Sequence, residues 1–274
     1  SVDVLTNHGE LSNTKTNYVN ANGAIGSNIG VDSNGKLKTT KSLNIAGLVM
    51  HLDADNTSSY SGTGNTWFDL SGNNNHISWS APAPQFTTDN GIKVIKTTDA
   101  TGVLRAMVST NYNNLPTGNE PYTAISFFKP NSTDAAKMIL SLGPANNLCG
   151  GTQIHPIGIG TSGKYAGGSC GGLGTWQDNT GVTPSTSSYV CVATTYGSST
   201  EKVYVNGNLD RTATMTTNIP VSAANKVSIG WVRDDGANYT MDANIGIILF
   251  YNRELSASEI TQIYNTYRLR FGLN

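Results

Sequence analysis

Asn244-Ile245-Gly246-Ile247-Ile248-Leu249-Phe250-Tyr251-Asn252-Arg253-Glu254-Leu255-Ser256-Ala257-Ser258-Glu259 decides the fold class of this chain. Its first half is apolar or aromatic at almost every position and then stops, so it is strand-sized and far short of the roughly 18–20 residues that cross a bilayer. Its second half ends in a capping box: the Ser256 hydroxyl can accept from a first-turn amide while Glu259 reaches back to the cap. Beyond it, Ile260, Ile263, Tyr264 and Tyr267 recur at helical spacing and define one apolar face, and Gly272 is placed to end the helix. A buried strand handing over to one amphipathic helix that packs on a sheet is the expected C-terminal arrangement.

Working outward from this stretch, short strands separated by Gly, Pro, Asn or Asp run back to Ala46. They are predicted at Gly47 to Asp53, Ile92 to Thr97, Leu104 to Val108, Tyr122 to Phe128, Lys137 to Leu142, Ile154 to Gly160, Ser188 to Tyr196, Glu201 to Val205 and Lys226 to Trp231. Asn206-Gly207 lies between alternating apolar positions and predicts a tight hairpin. With the opening strand, these make two packed sheets, and the absence of a long internal repeat argues against a propeller or solenoid. Residues 1 to 43 differ: Asn, Thr, Ser, Gly and Lys dominate, too few large apolar groups are present for a core, and a single hairpin signal appears at Ile29-to-Val31 and Lys36-to-Lys38. The expected organisation is an extended N-terminal arm, 1–43, and an all-β domain, 44–274. Whether the arm docks on a neighbour, trails as a leader or adds a strand to the domain stays open.

Of the 274 residues only 13% are charged, about half the usual share, and 17 Lys and Arg nearly balance 18 Asp and Glu. No basic run could neutralise a line of phosphates, so no nucleic-acid partner is expected, nor membrane insertion by a helix. No charged-then-apolar leader follows Ser1, which fits a removed signal or none. Cys149 and Cys170, both in Gly-rich segments, could pair, whereas Cys191 in Tyr-Val-Cys-Val-Ala reads as a buried free thiol.

Three stretches carry a family resemblance: Gly47 to Asp55 running on to Trp67-Phe68-Asp69-Leu70-Ser71-Gly72-Asn73-Asn74-Asn75; Tyr122 to Pro130 with Tyr189 to Tyr196 and Val203 to Gly207; and Asn244 to Ser256 with the helix and Arg270-Phe271-Gly272. In this order the chain, over about residues 46–273, resembles the concanavalin A-like or laminin G-like jelly rolls found in phage structural proteins and bacterial surface proteins. The resemblance implies a two-sheet jelly-roll sandwich with one C-terminal helix. It also implies a non-enzymatic virion structural or adhesion protein at the virion surface (capsid decoration, fibre or tail accessory), displaying a lectin-like sandwich and held to other virion proteins or its own copies through residues 1–43. The alternative is a secreted or cell-surface carbohydrate-binding module of a bacterial surface protein; a polysaccharide hydrolase is a remote third. Fold alone does not choose among them.

The hydrolase needs two carboxylates about 5–5.5 Å apart for retention. Glu10, Glu120, Glu201, Glu254 and Glu259 are scattered, with none beside another on a predicted strand, and Asp234-Asp235 point apart. Gly158-to-Lys164 imitates a phosphate loop and Gly167-to-Gly171 a nucleophile elbow, but no helix follows either, so both read as Gly-rich turns. The four histidines, His8, His51, His76 and His155, have no metal-ligand spacing. Calcium is the one cofactor expected as a candidate, with Asp53, Asp55, Asp69, Asn73 and Asn75 as oxygen donors; the competing reading is that Asp69 and Asn73 make turns with their own backbone. For glycan, Trp176 with Gln177, Asp178 and Asn179, and Trp231 with Arg233 and Asp234, are the expected contacts, whereas Trp67 and Trp79 read as core.

Overall fold

The computed structural model describes residues 28–31, 37–40, 45–79, 83–98, 107–144, 150–171, 181–214, 219, 221–230 and 240–274. The chain divides into two compact units, Ser1–Asn44 and Ile45–Asn274. In the first, β1 (Asn28–Val31) and β2 (Leu37–Thr40) pair antiparallel with Val31 opposite Leu37, the hairpin that the sequence signals; its turn lies outside the described residues.

In the second unit the strands are, in order, β3 (Leu48–Asp53), β4 (Thr66–Trp67), β5 (Ile77–Ser78), β6 (Phe86–Asp89), β7 (Ile92–Lys96) and β8 (Met107–Ser109). They continue with β9 (Tyr122–Pro130), β10 (Lys137–Pro144), β11 (Gly150–Ile159), β12 (Tyr165–Ala166), β13 (Ser169–Gly171) and β14 (Val190–Gly197). The last four are β15 (Thr200–Val205), β16 (Asn208–Thr214), β17 (Asn225–Ile229) and β18 (Ala243–Tyr251). One antiparallel sheet runs β16-β15-β14-β9-β18-β7-β6 with β3 also on β18; the other runs β12-β11-β10-β17-β8-β5-β4 with β13 on β11. Mostly β, two antiparallel sheets and one C-terminal helix make the jelly-roll sandwich that the sequence predicts.

Strand β18 shows why its sequence is apolar throughout instead of alternating. All nine residues are buried, because both faces of the strand are covered. Ile245, Ile248 and Phe250 face the inter-sheet core, where Phe250 stacks on Tyr122 and Tyr122 on Tyr196. The other face lies under α1 (Ala257–Tyr267), whose Ile260, Ile263 and Tyr264 are buried, and under Phe271, which stacks on Phe127 at 5.0 Å between ring centroids. Gly246 sits at a register shift in this strand, and a Cβ there would stand 2.4 Å from the Phe271 ring, so only glycine admits that ring.

The capping box forms with both of its bonds, and Arg253 adds an ion pair to Glu259. The helix stops one turn earlier than Gly272: it tightens into a 3-10 turn over Arg268–Phe271, and Gly272, at φ 66°, ends that turn. The Asn206-Gly207 hairpin has both residues at positive φ and tucks beneath the helix, where Thr261 donates to Gly207 O.

The first lookalike motif is a turn, as expected; the second was expected to be one too and instead runs into a strand. Gly158 and Ile159 end β11, Gly160 N donates to Lys164 O, and the chain returns as β12; Ser169–Gly171 is a strand on β11. The sequence missed β4, β5, β6, β12 and β13, all short or polar, whereas β16 is the second strand of the Asn206-Gly207 hairpin that it predicts. Of these, β6 was within reach, since Asn90-Gly91 at positive φ closes its hairpin with β7.

Candidate functional site at the asparagine-rich end

The Asp69 loop exists because of an exposed sheet edge. Among the described residues strand β3 pairs with β18 alone, which leaves its other edge without a strand partner, a template for unwanted strand pairing. Loop side chains and backbone fill those positions in place of a strand. Asp69 Oδ1 accepts from His51 N at 2.8 Å, Leu70 N donates to His51 O at 2.8 Å, Asn75 Nδ2 donates to Val49 O at 2.9 Å, and Asp53 N donates to Ser59 Oγ at 3.1 Å. Residues 49, 51 and 53 are the alternate positions whose backbone points off one edge of a strand.

A second loop is laced to the first by amides. Asn75 Nδ2 donates to Asn113 O and its Oδ1 accepts from Asn113 N; Asn113 Nδ2 reaches Asn73 O, Asn114 Nδ2 reaches Asn73 Oδ1, and Asn111 Nδ2 reaches Asn74 O, all at 2.7–2.9 Å. Asn74 and Asn114 adopt positive φ, which asparagine tolerates better than most residues. The outer side of this second loop walls a groove of about 410 Å³ against residues 221–226. Its polar lining is Thr110, Asn111, Asn113, Ser222 and Lys226 among others, with no carboxylate, and Lys226 Nζ donates to Thr110 O at 2.7 Å.

The five residues considered for calcium fall into two groups. Asp53 is held by Arg270, whose Nη1 donates to Oδ2 at 2.9 Å while Nη2 lies 2.8 Å from Oδ1 in the same ion pair, and by Asp55 N; Asp55 is exposed, 3.9 Å from both Lys93 and Arg270. Asp69 accepts four bonds, from His51 N, Ser71 N, Ser71 Oγ and Asn75 N. Asn73 and Asn75 give their amide oxygens to Asn114 and Asn113. With donors already on the side-chain oxygens of Asp53, Asp69, Asn73 and Asn75, and Asp55 standing exposed beside two cations, the set does not fit a cation that takes six to eight oxygen ligands, and among the described residues no three His, Cys, Asp or Glu side chains gather as a metal site. Asp69 makes the side-chain turn that was the competing reading, whereas the Asn73 side chain bonds Leu48 O, Ser71 Oγ and Asn114 instead of its own backbone.

Trp176, Gln177, Asp178, Asn179, Trp231, Arg233 and Asp234 lie outside the described residues, as do Cys149 and the Cys170 side chain. Trp67 and Trp79 are core, and Cys191 is a buried free thiol whose ionisation burial opposes. Sequence reasoning passed over Asn111, Asn113 and the groove they wall. It also passed over Phe68, which is 47% exposed, although strand alternation carried the signal: Trp67 points inward and its neighbour must point outward.

The described carboxylates are mostly committed elsewhere. Glu254 pairs with Lys202, Glu259 with Arg253, Asp89 with Lys129, and Glu120 accepts from Thr117 N. Glu201 differs: it is 1% exposed, both its oxygens lack a partner, and burial, countered in part by Arg211, pushes its pKa up to about 7. An acid so enclosed cannot touch a polysaccharide in this conformation. Among the described residues no helix is long and apolar enough to cross a membrane.

Among solved structures, domain 4 of AbnA, a GH43 extracellular arabinanase from Geobacillus stearothermophilus, in complex with arabinotriose, matches with TM-score 0.60 and 16% identity over 79% of this chain and 98% of that one. A Trypanosoma rangeli sialidase mutant displaying trans-sialidase activity matches with TM-score 0.56 and 17% identity over 86% of this chain and 35% of its own. At such identities these likenesses speak to the fold alone. No curated protein sequence matches the chain. A family profile, however, covers residues 102–261, more than half of the chain, and with the sandwich just described it shows that the chain belongs to the concanavalin A-like lectin/glucanases superfamily.

Proposed function

We propose that this chain is a non-catalytic glycan-binding display module, which takes a polyhydroxylated chain at its asparagine-rich end and is carried on a larger object through residues 1–44. The observation that carries this reading is the carboxylate-free groove between residues 110–117 and 221–226. Amides and hydroxyls offer donors and acceptors side by side, which is what sugar hydroxyls require, and a concave wall fixes their order. The committed or enclosed state of most of the described carboxylates supports binding over hydrolysis.

Affinity electrophoresis against soluble arabinan, xylan, mannan, galactan and β-glucan tests it, with reducing-end release measured in parallel. Arabinan belongs in the panel because the similar arabinanase domain is held in complex with arabinotriose. The expected outcome is retardation by at least one polysaccharide, weakened about tenfold by Asn111→Ala, the order of one or two lost hydrogen bonds. Retardation by none overturns the binding reading, and new reducing ends from the wild-type chain overturn the non-catalytic one.

A virion is the first carrier to test, with a bacterial surface as the alternative. The separate N-terminal unit, with its own hairpin, supports attachment of some kind. Electron microscopy of the native source, with the full chain and with residues 1–44 removed, should find the full chain on a particle and the shortened one free. Equal occupancy by both removes the anchoring role.

A further inference from the structure

We propose that Phe68 and His76 form a stacking subsite for one sugar ring of that glycan, at the side of the groove wall. The proposal rests on the glycan reading and names where a ring would sit.

A single exposed aromatic means little on a protein surface; what surrounds Phe68 gives it meaning. Its backbone is anchored on both sides, with Phe68 N donating to Ser59 O at 2.7 Å and Ser59 Oγ donating to Phe68 O at 2.6 Å, so the exposed ring is offered from a fixed base. Its ring neighbour is His76, perpendicular to it with centroids 5.2 Å apart. The His76 tautomer is set from within the loop: Nδ1 accepts from Asp69 N at 3.0 Å, so the neutral ring carries its proton on Nε2. That leaves Nε2–H as the donor of the ring.

The same wall supplies amides. Asn74 is exposed, and Asn111, beside it on the groove wall, donates its Nδ2 to Asn74 O. Thr110 links the two parts, since its N and Oγ1 both donate to His76 O while it also lines the groove. A sugar ring has one face of C–H groups and a rim of hydroxyls. An aromatic face matches the first and a ring N–H with amides matches the second, which is the mixed character expected of a small-ligand site. A bare hydrophobic contact would use Phe68 and leave the donor idle, and an anion would use the donor and gain nothing from the ring.

The test uses the full chain and the polysaccharide of the panel that retards it most. Phe68→Ala should weaken binding about tenfold, while Phe68→Tyr, which keeps the ring, should stay within about twofold; thermal melting of both should match the parent. Independently of any variant, NMR of the parent with an oligosaccharide of that polysaccharide should show cross-relaxation between Phe68 ring protons and sugar C–H protons. Unchanged binding by Phe68→Ala alongside loss in Asn111→Ala overturns the subsite and leaves the glycan reading standing, as does the absence of ring-to-sugar cross-relaxation. Failure of the parent to bind any member of the panel overturns both.

Discussion

Asp69 in a loop and Glu201 in a strand are both buried in the same sandwich, and their surroundings are opposite. Asp69 receives four hydrogen bonds, two from backbone amides of its own loop, one from a serine hydroxyl and one from the unpaired edge of β3. Glu201 receives none. The cause is what the neighbouring backbone is doing. Around Asp69 the chain turns, so its amides are free to point at a side chain; around Glu201 the amides are consumed by ladders in which Tyr196 and Ala213 stand opposite it. Its side chain therefore shares the inner face with Val203 and Val205, and the Tyr122 phenol that it couples to is itself buried without a hydrogen-bond partner among the described residues. A buried acid is an organiser where backbone donors are unspent and a burden where they are not.

The sharpest way to break this contrast is Asp69→Ala. It strands four donors at once, and each buried donor left unmade costs about 1–3 kcal/mol before water returns to some of them. A loss of about 3 kcal/mol or more is expected in urea denaturation, with faster hydrogen exchange at the His51 and Asn75 amides. A loss below about 1 kcal/mol would show that the loop holds without its acid, and that the β3 edge is guarded by something else.

The second test acts on Glu201. Its folded pKa of about 7 exceeds the ordinary value of 4.5, so between these pH values the folded chain binds more protons than the unfolded one. Stability from this group therefore falls as pH rises from about 4.5 through 7, by about 3 kcal/mol once the acid is forced to ionise. Arg211, in the position opposite Val203 on the same face, softens this, while the phenols of Tyr122 and Tyr196 bring no countercharge. Glu201→Gln has the same shape and no charge. It should match the parent at pH 4.5 and exceed it by roughly 2–3 kcal/mol at pH 8.5, the penalty that ionisation adds. Equal denaturation midpoints at both pH values would mean that Glu201 has a partner or water in solution.

The contrast also explains what could be read in the sequence. The long buried strands, the helix and its cap were legible because burial on one or both faces leaves a period of two or an unbroken apolar run, and the cap is a four-residue pattern. Strands β4 and β5, two residues each, carry no period at all. The Asp69 loop was legible as a set of turn-formers but ambiguous in purpose: the residue types that bind calcium are the types that bond their own backbone. Only the four donors on Asp69 decide between them. Glu201 gave the least warning, since its parity with Val203 and Val205 places it inward and a glutamate in a strand normally points out. Phe68 is the reverse case, an aromatic whose parity with buried Trp67 sends it outward.

The smallest expected effect sharpens the comparison with a third acid, Glu259, at the helix cap. Its pKa is held down to about 2, first by the hydrogen bonds from Arg253 and then by the Ser256 amide and hydroxyl, with burial opposing. Here the folded value lies below 4.5, so the stability it contributes is complete above that pH and is lost as pH falls through 2, the opposite slope to Glu201. The pair stands at the surface, with about a third of each side chain in water, so solvent screens it and about 1 kcal/mol is expected, not the full value of the shift. Glu259→Gln retains a side chain that can reach the Ser256 amide and removes the charge, so it isolates the ion pair from the cap. It should cost about 1 kcal/mol or less at pH 7, nothing at pH 2, and less again in high salt. A loss that persists unchanged at pH 2 would assign the effect to the cap's hydrogen bond, and would leave Arg253 anchored chiefly through the bond from its Nε to Ala46 O.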